Sequence, residues 1–152
     1  MELCFAADKT LGRLAKWLRL LGFDTLYEPG FQAEDSSGLE PNRILLTRGA
    51  PDRRNRRDNP CIVIRSDHYR DQLAEVVRAL GLTSASIRPF SRCIRCNSAI
   101  MPAGKEGLQG KVPDYIWETH DAFKICQGCQ RIYWPGSHIE RSLERIGCLF
   151  NG

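Results

Sequence analysis

Leu3-Cys4-Phe5-Ala6-Ala7-Asp8, followed by Lys9-Thr10-Leu11-Gly12-Arg13-Leu14-Ala15-Lys16-Trp17-Leu18-Arg19-Leu20-Leu21-Gly22, decides how this chain folds. The opening residues are a short apolar run. From Thr10 the pattern takes a helical period, with Leu11, Leu14, Ala15, Leu18 and Leu21 on one face. Asp8 stands at the turn between strand and helix. Arg13, Lys16 and Arg19 fall on the flank beside the apolar stripe, Thr10 is placed to cap the helix and Gly22 to end it. Open α/β sheets bind ligands outside the carboxyl ends of their strands. A carboxylate at such an end, with arginines close by, suits a divalent cation and a phosphodiester. Its competing role is to favour the positive end of the helix that follows.

The same alternation continues outward. Thr25-Leu26-Tyr27, Ile44-Leu45-Leu46-Thr47 and Cys61-Ile62-Val63-Ile64 read as further strands, the last apolar throughout, as a strand covered on both faces would be. A helix with Tyr69, Leu73, Val76, Val77 and Leu80 at helical spacing follows and stops at Gly81. Strands and helices in this order imply βαβ units, hence an α/β domain with a mainly parallel sheet flanked by helices over residues 1–86. Asp67 sits at a strand end as Asp8 does. It is either a second site carboxylate, sharing one sheet edge with Asp8 if their strands are neighbours, or the N-cap of its helix. Residues 28–42 lack periodic apolar positions and read as a loop, and so does the stretch that follows Thr47. Between Arg43 and Arg57 the chain is basic: six arginines, at 43, 48, 53, 54, 56 and 57, against a single aspartate, Asp52. They offer phosphate contacts or form a solvated loop.

A chain of 152 residues, 42% hydrophobic and 26% charged, supports one full core plus a small module. A formal charge of +4 admits a polyanionic partner without requiring one. No apolar run approaches the length of a membrane span, and Met1-Glu2 leads straight into the first strand, so the expectation is a cytoplasmic protein without a leader or a membrane partner. Seven cysteines, an odd number, argue against a disulfide framework and for a reducing compartment. Cys4 and Cys61 fall in buried strands as small hydrophobes.

From Arg88 onward the character changes. Cys93-Ile94-Arg95-Cys96 and Cys126-Gln127-Gly128-Cys129 are two CxxC pairs, the spacing with which two tight turns complete a tetrahedral zinc site. A closed four-thiolate site is structural, leaving no position for catalysis. Redox CxxC chemistry is the competing reading, and its strand-to-helix context is missing here. Tyr115, Trp117 and Phe123 are candidates for a small core between the pairs, and Arg131-Ile132-Tyr133-Trp134 for a strand whose aromatics either pack or stack on unpaired bases. Ser137 and Glu140 match a capping box for a last helix with Ile139, Leu143 and Ile146 on one face, and His138 lies in its first turn. Residues 87–152 thus form a zinc ribbon with a C-terminal helix.

The motifs together resemble a known family. Asp8-Lys-Thr-Leu-Gly-Arg-Leu-Ala-Lys-Trp-Leu-Arg19, Leu21-Gly-Phe-Asp-Thr25, Arg43-Ile-Leu-Leu-Thr-Arg48 and Ile64-Arg-Ser-Asp67 are similar to the Mut-seven C-terminal RNase domain family, a PIN-like nuclease domain. Phe90-Ser-Arg-Cys93, Gly110-Lys-Val-Pro113 and Arg131-Ile-Tyr-Trp-Pro-Gly-Ser-His138 resemble the zinc ribbon behind that domain. The resemblance implies a PIN-like fold in which Asp8 and Asp67 hold Mg²⁺ or Mn²⁺ for RNA hydrolysis and Arg13 assists. Lys16, Arg19, Arg48, Arg53, Arg54, Arg56, Arg57 and His138 would then contact the RNA, and Cys93, Cys96, Cys126 and Cys129 hold zinc. Two departures matter. Gly49 stands where the family pattern carries an aspartate, and the loop at residues 32–40 replaces a helix expected before Arg43. They define the alternative, an RNA-binding protein that has lost the cleavage chemistry. A zinc-stabilised protein-interaction adaptor is a third reading. The RNA target, protein partners and oligomeric state have no signature in the sequence.

Overall fold

The computed structural model describes residues 2–27, 39–49 and 59–150, without the side chains of 137–139. Four strands, β1 (Cys4–Ala7), β2 (Asp24–Leu26), β3 (Ile44–Thr47) and β4 (Cys61–Val63), form a fully parallel sheet in the order β2-β1-β3-β4. From β1 the chain crosses to β2 on one side and then to β3 on the other. The carboxyl ends of β1 and β3 therefore border the point where strand order reverses, the usual ligand crevice of such sheets. The mainly parallel α/β expectation holds. Asp8 and Asp67 share an edge, but not because their strands are neighbours: β3 lies between them.

Helix α1 (Gly12–Leu20) follows β1 through a 3-10 turn, Lys9–Leu11, which Asp8 caps in place of Thr10. Its face Leu11, Leu14, Ala15 and Leu18 is buried as the spacing requires. Gly22, at φ +96°, turns the chain out of the helix, and a Cβ there would lie 2.4 Å from the Arg88 carbonyl oxygen. Helix α2 (Tyr69–Leu80) ends at Gly81, and its N-cap is His68 rather than Asp67. Phe5, Leu46, Ile64, Leu73 and Val76 complete the core between sheet and helices.

The linker is fastened to the end of α1, where the amides of Arg88 and Phe90 donate to the carbonyls of Leu21 and Leu20. Past it, β5 (Ile100–Ala103), β6 (Phe123–Cys126) and β7 (Ile132–Tyr133) form an antiparallel sheet, with α3 (Asp114–Thr119) between β5 and β6. Leu108, Val112, Ile116 and Phe123 make its small core. Tyr115, a candidate for that core, is 67% exposed instead. Helix α4 (Ser137–Gly147) is capped by Gly136, so Ser137 lies inside the first turn and does not cap. Its end returns to the main core, where Ile146 and Phe150 are buried and Leu143 packs. The last helix, grouped by sequence with the ribbon, thereby closes the larger unit.

Candidate active site and metal centre

Asp8 is built into the end of β1. Its amide donates to the Leu46 carbonyl at 3.0 Å, continuing the β1–β3 pairing past the strand. Its Oδ1 accepts from the amide and the hydroxyl of Thr10, both at 2.7 Å, and its Oδ2 accepts from the Thr47 hydroxyl at 3.2 Å. Burial works against the charge, but the bonds from Thr10, from Thr47 and from the Arg48 amide outweigh it and hold the carboxyl below its ordinary value. At neutral pH Asp8 is an oriented anion.

Thr47 links this carboxylate to the next turn. Its hydroxyl also lies 3.0 Å from the Gly49 carbonyl oxygen. Gly49 is exposed, and a Cβ on it would meet nothing within 4 Å. Arg48 runs along the same edge to donate to the Ser66 carbonyl and to Asp67 Oδ1. The Asp67 side chain is 94% exposed. Its loop is held from behind, because Glu75 accepts from the amides of Arg65 and Ser66 and Gln72 donates to the Ser66 carbonyl.

The second centre is in the ribbon. The sulfurs of Cys93, Cys96, Cys126 and Cys129 all lie within 4.8 Å of one another. The two turns repeat each other: the Asn97 amide donates to the Cys93 carbonyl and the Gln130 amide to that of Cys126, with Asn97 and Gln130 at φ 68° and 64°. The amides of Gly128 and Cys129 point at the Cys126 sulfur, 3.3 and 3.4 Å away, and the Tyr133 hydroxyl lies 2.9 Å from that of Cys93. Bonds from the Ser98 side chain and amide bring the Cys96 thiol down to about 6, while burial pushes Cys126 up to about 11. Four thiols converging on one point, with donors aimed at the sulfurs, fit a tetrahedral zinc ion and leave it no open position.

A family model for the Mut7-C RNAse domain matches residues 4–146. The chain belongs to the Mut7-C RNAse domain family. Comparison with curated proteins and with solved structures gives no match. The Mut7-C match spans both centres, the Asp8 edge and the cysteine cluster, with the linker between them.

Within this Mut7-C chain the candidate residues divide. Asp8, Arg48 and Asp67 come together on one sheet edge, with Arg13 and Lys16 exposed on the adjoining helix. Arg19 does not join them. It is 6% exposed, and its guanidinium donates to the carbonyls of Thr25, Ile94 and Arg95. It faces the ribbon. Arg53, Arg54, Arg56 and Arg57 lie outside the described residues, as does the His138 side chain. The sequence marks Thr10 only as a helix cap and gives Thr47 and Asn97 no role, because the spacing of these polar side chains carries no signature.

The ribbon occupies the far edge of the sheet. Asn97 accepts from the Thr25 amide at 2.9 Å and donates to Asp24 Oδ1 at 2.7 Å, at the start of β2. Asp24 also pairs with the buried Arg43 at 2.9 Å. Asp8 and Arg19 stand at opposite ends of one helical run, on the order of 15 Å apart along the axis. The four-cysteine cluster therefore stands apart from the acidic edge.

Proposed function

We propose that this protein binds RNA across the β1–β3 end of the sheet and hydrolyses a phosphodiester there. The observation that carries the reading is an ionised, fully oriented Asp8 at the switch point, one hydrogen-bonded step from the Arg48–Asp67 pair. The Asp8 carboxylate and the exposed Asp67 carboxylate are the described groups that would hold Mg²⁺ or Mn²⁺. Two carboxylates completed by waters and phosphate oxygens suit Mg²⁺, but weakly. When bound, such an ion neutralises phosphate charge and makes water a better nucleophile.

The chain's own residues do the rest. Thr10 and Thr47 keep Asp8 in one orientation. Arg48 offers a guanidinium to the phosphodiester, and a phosphate that takes it over frees Asp67. Arg13 and Lys16 add charge along α1. Arg53, Arg54, Arg56 and Arg57 follow Gly49 closely in sequence and hold the strand beyond the cleaved bond. The thiol-rich ribbon supports a reducing compartment such as the cytoplasm, with residues 1–86 as nuclease unit and 87–152 as the ribbon and the C-terminal helix that returns to the nuclease core.

A second reading, RNA binding without cleavage, draws on a specific observation. Among the described residues the four cysteines are the one group of three or more potential metal ligands, so Asp8 and Asp67 have no third acid beside them. Single-turnover cleavage of labelled RNA with Mn²⁺ separates the two. Cleavage that Asp8→Asn abolishes supports the nuclease. Binding without cleavage in either protein supports the alternative.

A further inference from the structure

On the border of the acidic edge three side chains, Trp17, Arg13 and His68, gather around the Tyr69 ring. The Trp17 and Tyr69 rings are parallel within 5°, with centroids 5.5 Å apart. The Arg13 guanidinium carbon lies 4.5 Å from the Tyr69 centroid. The His68 ring meets Tyr69 from its own position, at 4.6 Å and tilted by 35°. By spacing, Tyr69 reads as a residue of the apolar face of α2, yet the junction does not close over it. Trp17 and Tyr69 remain part-exposed, and Arg13 and His68 are exposed. The α1–α2 contact thus ends in solvent as a cation-and-aromatic shelf.

His68 is also held in place. Its Nδ1 accepts from the Arg70 amide at 3.3 Å, which in the neutral ring puts the proton on Nε2 and leaves a donor on the free edge. The shelf is continuous with the acidic site by a closed path. Asp8 heads the turn that leads to Arg13, Arg13 covers Tyr69, His68 adjoins Asp67, Asp67 pairs with Arg48, and Thr47 returns to Asp8.

We infer that this shelf is a stacking subsite for one unpaired nucleobase, seated against His68, with the adjacent phosphate turned toward Arg48 and Asp8. The inference rests on the RNA reading above and adds the form of the substrate. A base stacked on both sides within a duplex has no face to give, so the protein takes single-stranded or looped RNA. Arg13 supplies the positive charge that a stacked nucleotide's phosphate needs nearby, and the flat side chains supply the face.

The test is binding of the intact, zinc-loaded protein, without added divalent ion, to a set of short labelled single-stranded RNAs each carrying one abasic position. His68→Asn keeps a capping acceptor for α2 while removing the ring. Its helix content and zinc content serve as controls for folding. At one position the abasic lesion should weaken wild-type binding roughly 5- to 100-fold, the range of a single base–aromatic stack. There His68→Asn should bind intact and abasic RNA alike. Uniform weakening of all the RNAs by His68→Asn, or a flat abasic profile in a wild type that binds RNA, would overturn the subsite while leaving RNA binding intact. A wild type that binds none of them removes the RNA reading and the subsite with it.

Discussion

Thr47 is the residue on which the site turns, because one hydroxyl donates to the Asp8 carboxylate and accepts from the amide of Gly49 in the next turn. Thr47→Val keeps the shape and removes that donor. We expect it to cost about 1–2 kcal/mol of stability, to raise the Asp8 carboxyl toward its ordinary value and to slow any cleavage about tenfold, read from urea unfolding and single-turnover rates. Acid offers a second check at this scale. Burial opposes ionisation at Asp8, Asp24 and Glu75, yet hydrogen bonds hold all three below their ordinary values of 3.8 for Asp and 4.5 for Glu. The unfolded chain therefore takes up protons first as pH falls, and the stability these groups contribute is complete above about pH 5 and is lost progressively as pH falls from their ordinary values through the lower folded ones. Below about pH 5 urea midpoints should fall as these carboxylates take up protons. For Asp24→Asn the fall should be shallower, and an identical slope would contradict the assignment.

At the scale of elements, the first CxxC turn holds the ribbon to the nuclease sheet through Asn97 and the Arg19 guanidinium. Asn97→Ala leaves the Thr25 amide without its acceptor and should cost about 1–3 kcal/mol. Zinc removal should act on the same contact: the Thr25 amide exchanges with deuterium faster on chelation, before β1 and β3 amides change. Unchanged exchange at Thr25 in a zinc-free protein would mean that the ribbon is mounted without its metal. Much of this was legible in the sequence. The apolar strands and the helix stripes beginning at Leu11 and Tyr69 have strong periods, and the CxxC spacing announces its own chemistry. Strands β5 and β6 were not legible, because Pro102 and the mixed run from Phe123 to Cys126 carry no clean alternation. Arg19 was misread for a physical reason. Helical spacing gives an angle but not a neighbour, and the neighbour here is a pair of carbonyls some 75 residues away.

The whole molecule presents two ends with different work. One edge of the sheet carries Asp8, Arg48, Asp67 and the His68 shelf, and the other carries the zinc ribbon, with α4 returning to close the core between them. No helix among the described residues is long and apolar enough to cross a membrane. If the basic stretch after Gly49 holds RNA, replacing Arg53, Arg54, Arg56 and Arg57 together should weaken binding and make the log-log salt slope shallower by about 0.7 for each phosphate no longer neutralised. An unchanged slope would leave that stretch merely solvated. Among the described residues the acidic edge carries Asp8 and Asp67 with no third acid, and Gly49, next to the Thr47 link to Asp8, has no described atom within 4 Å of a Cβ placed on it. The most direct measurement is the Mn²⁺ and Mg²⁺ dependence of single-turnover RNA cleavage by wild type, Gly49→Asp and Gly49→Asp combined with Asp8→Asn. The account predicts cleavage by wild type only at high Mn²⁺, a shift to at least roughly tenfold lower metal in Gly49→Asp, and no cleavage in the double variant. Full wild-type activity at low Mg²⁺ with no gain from Gly49→Asp, or cleavage that survives the loss of Asp8, would contradict it.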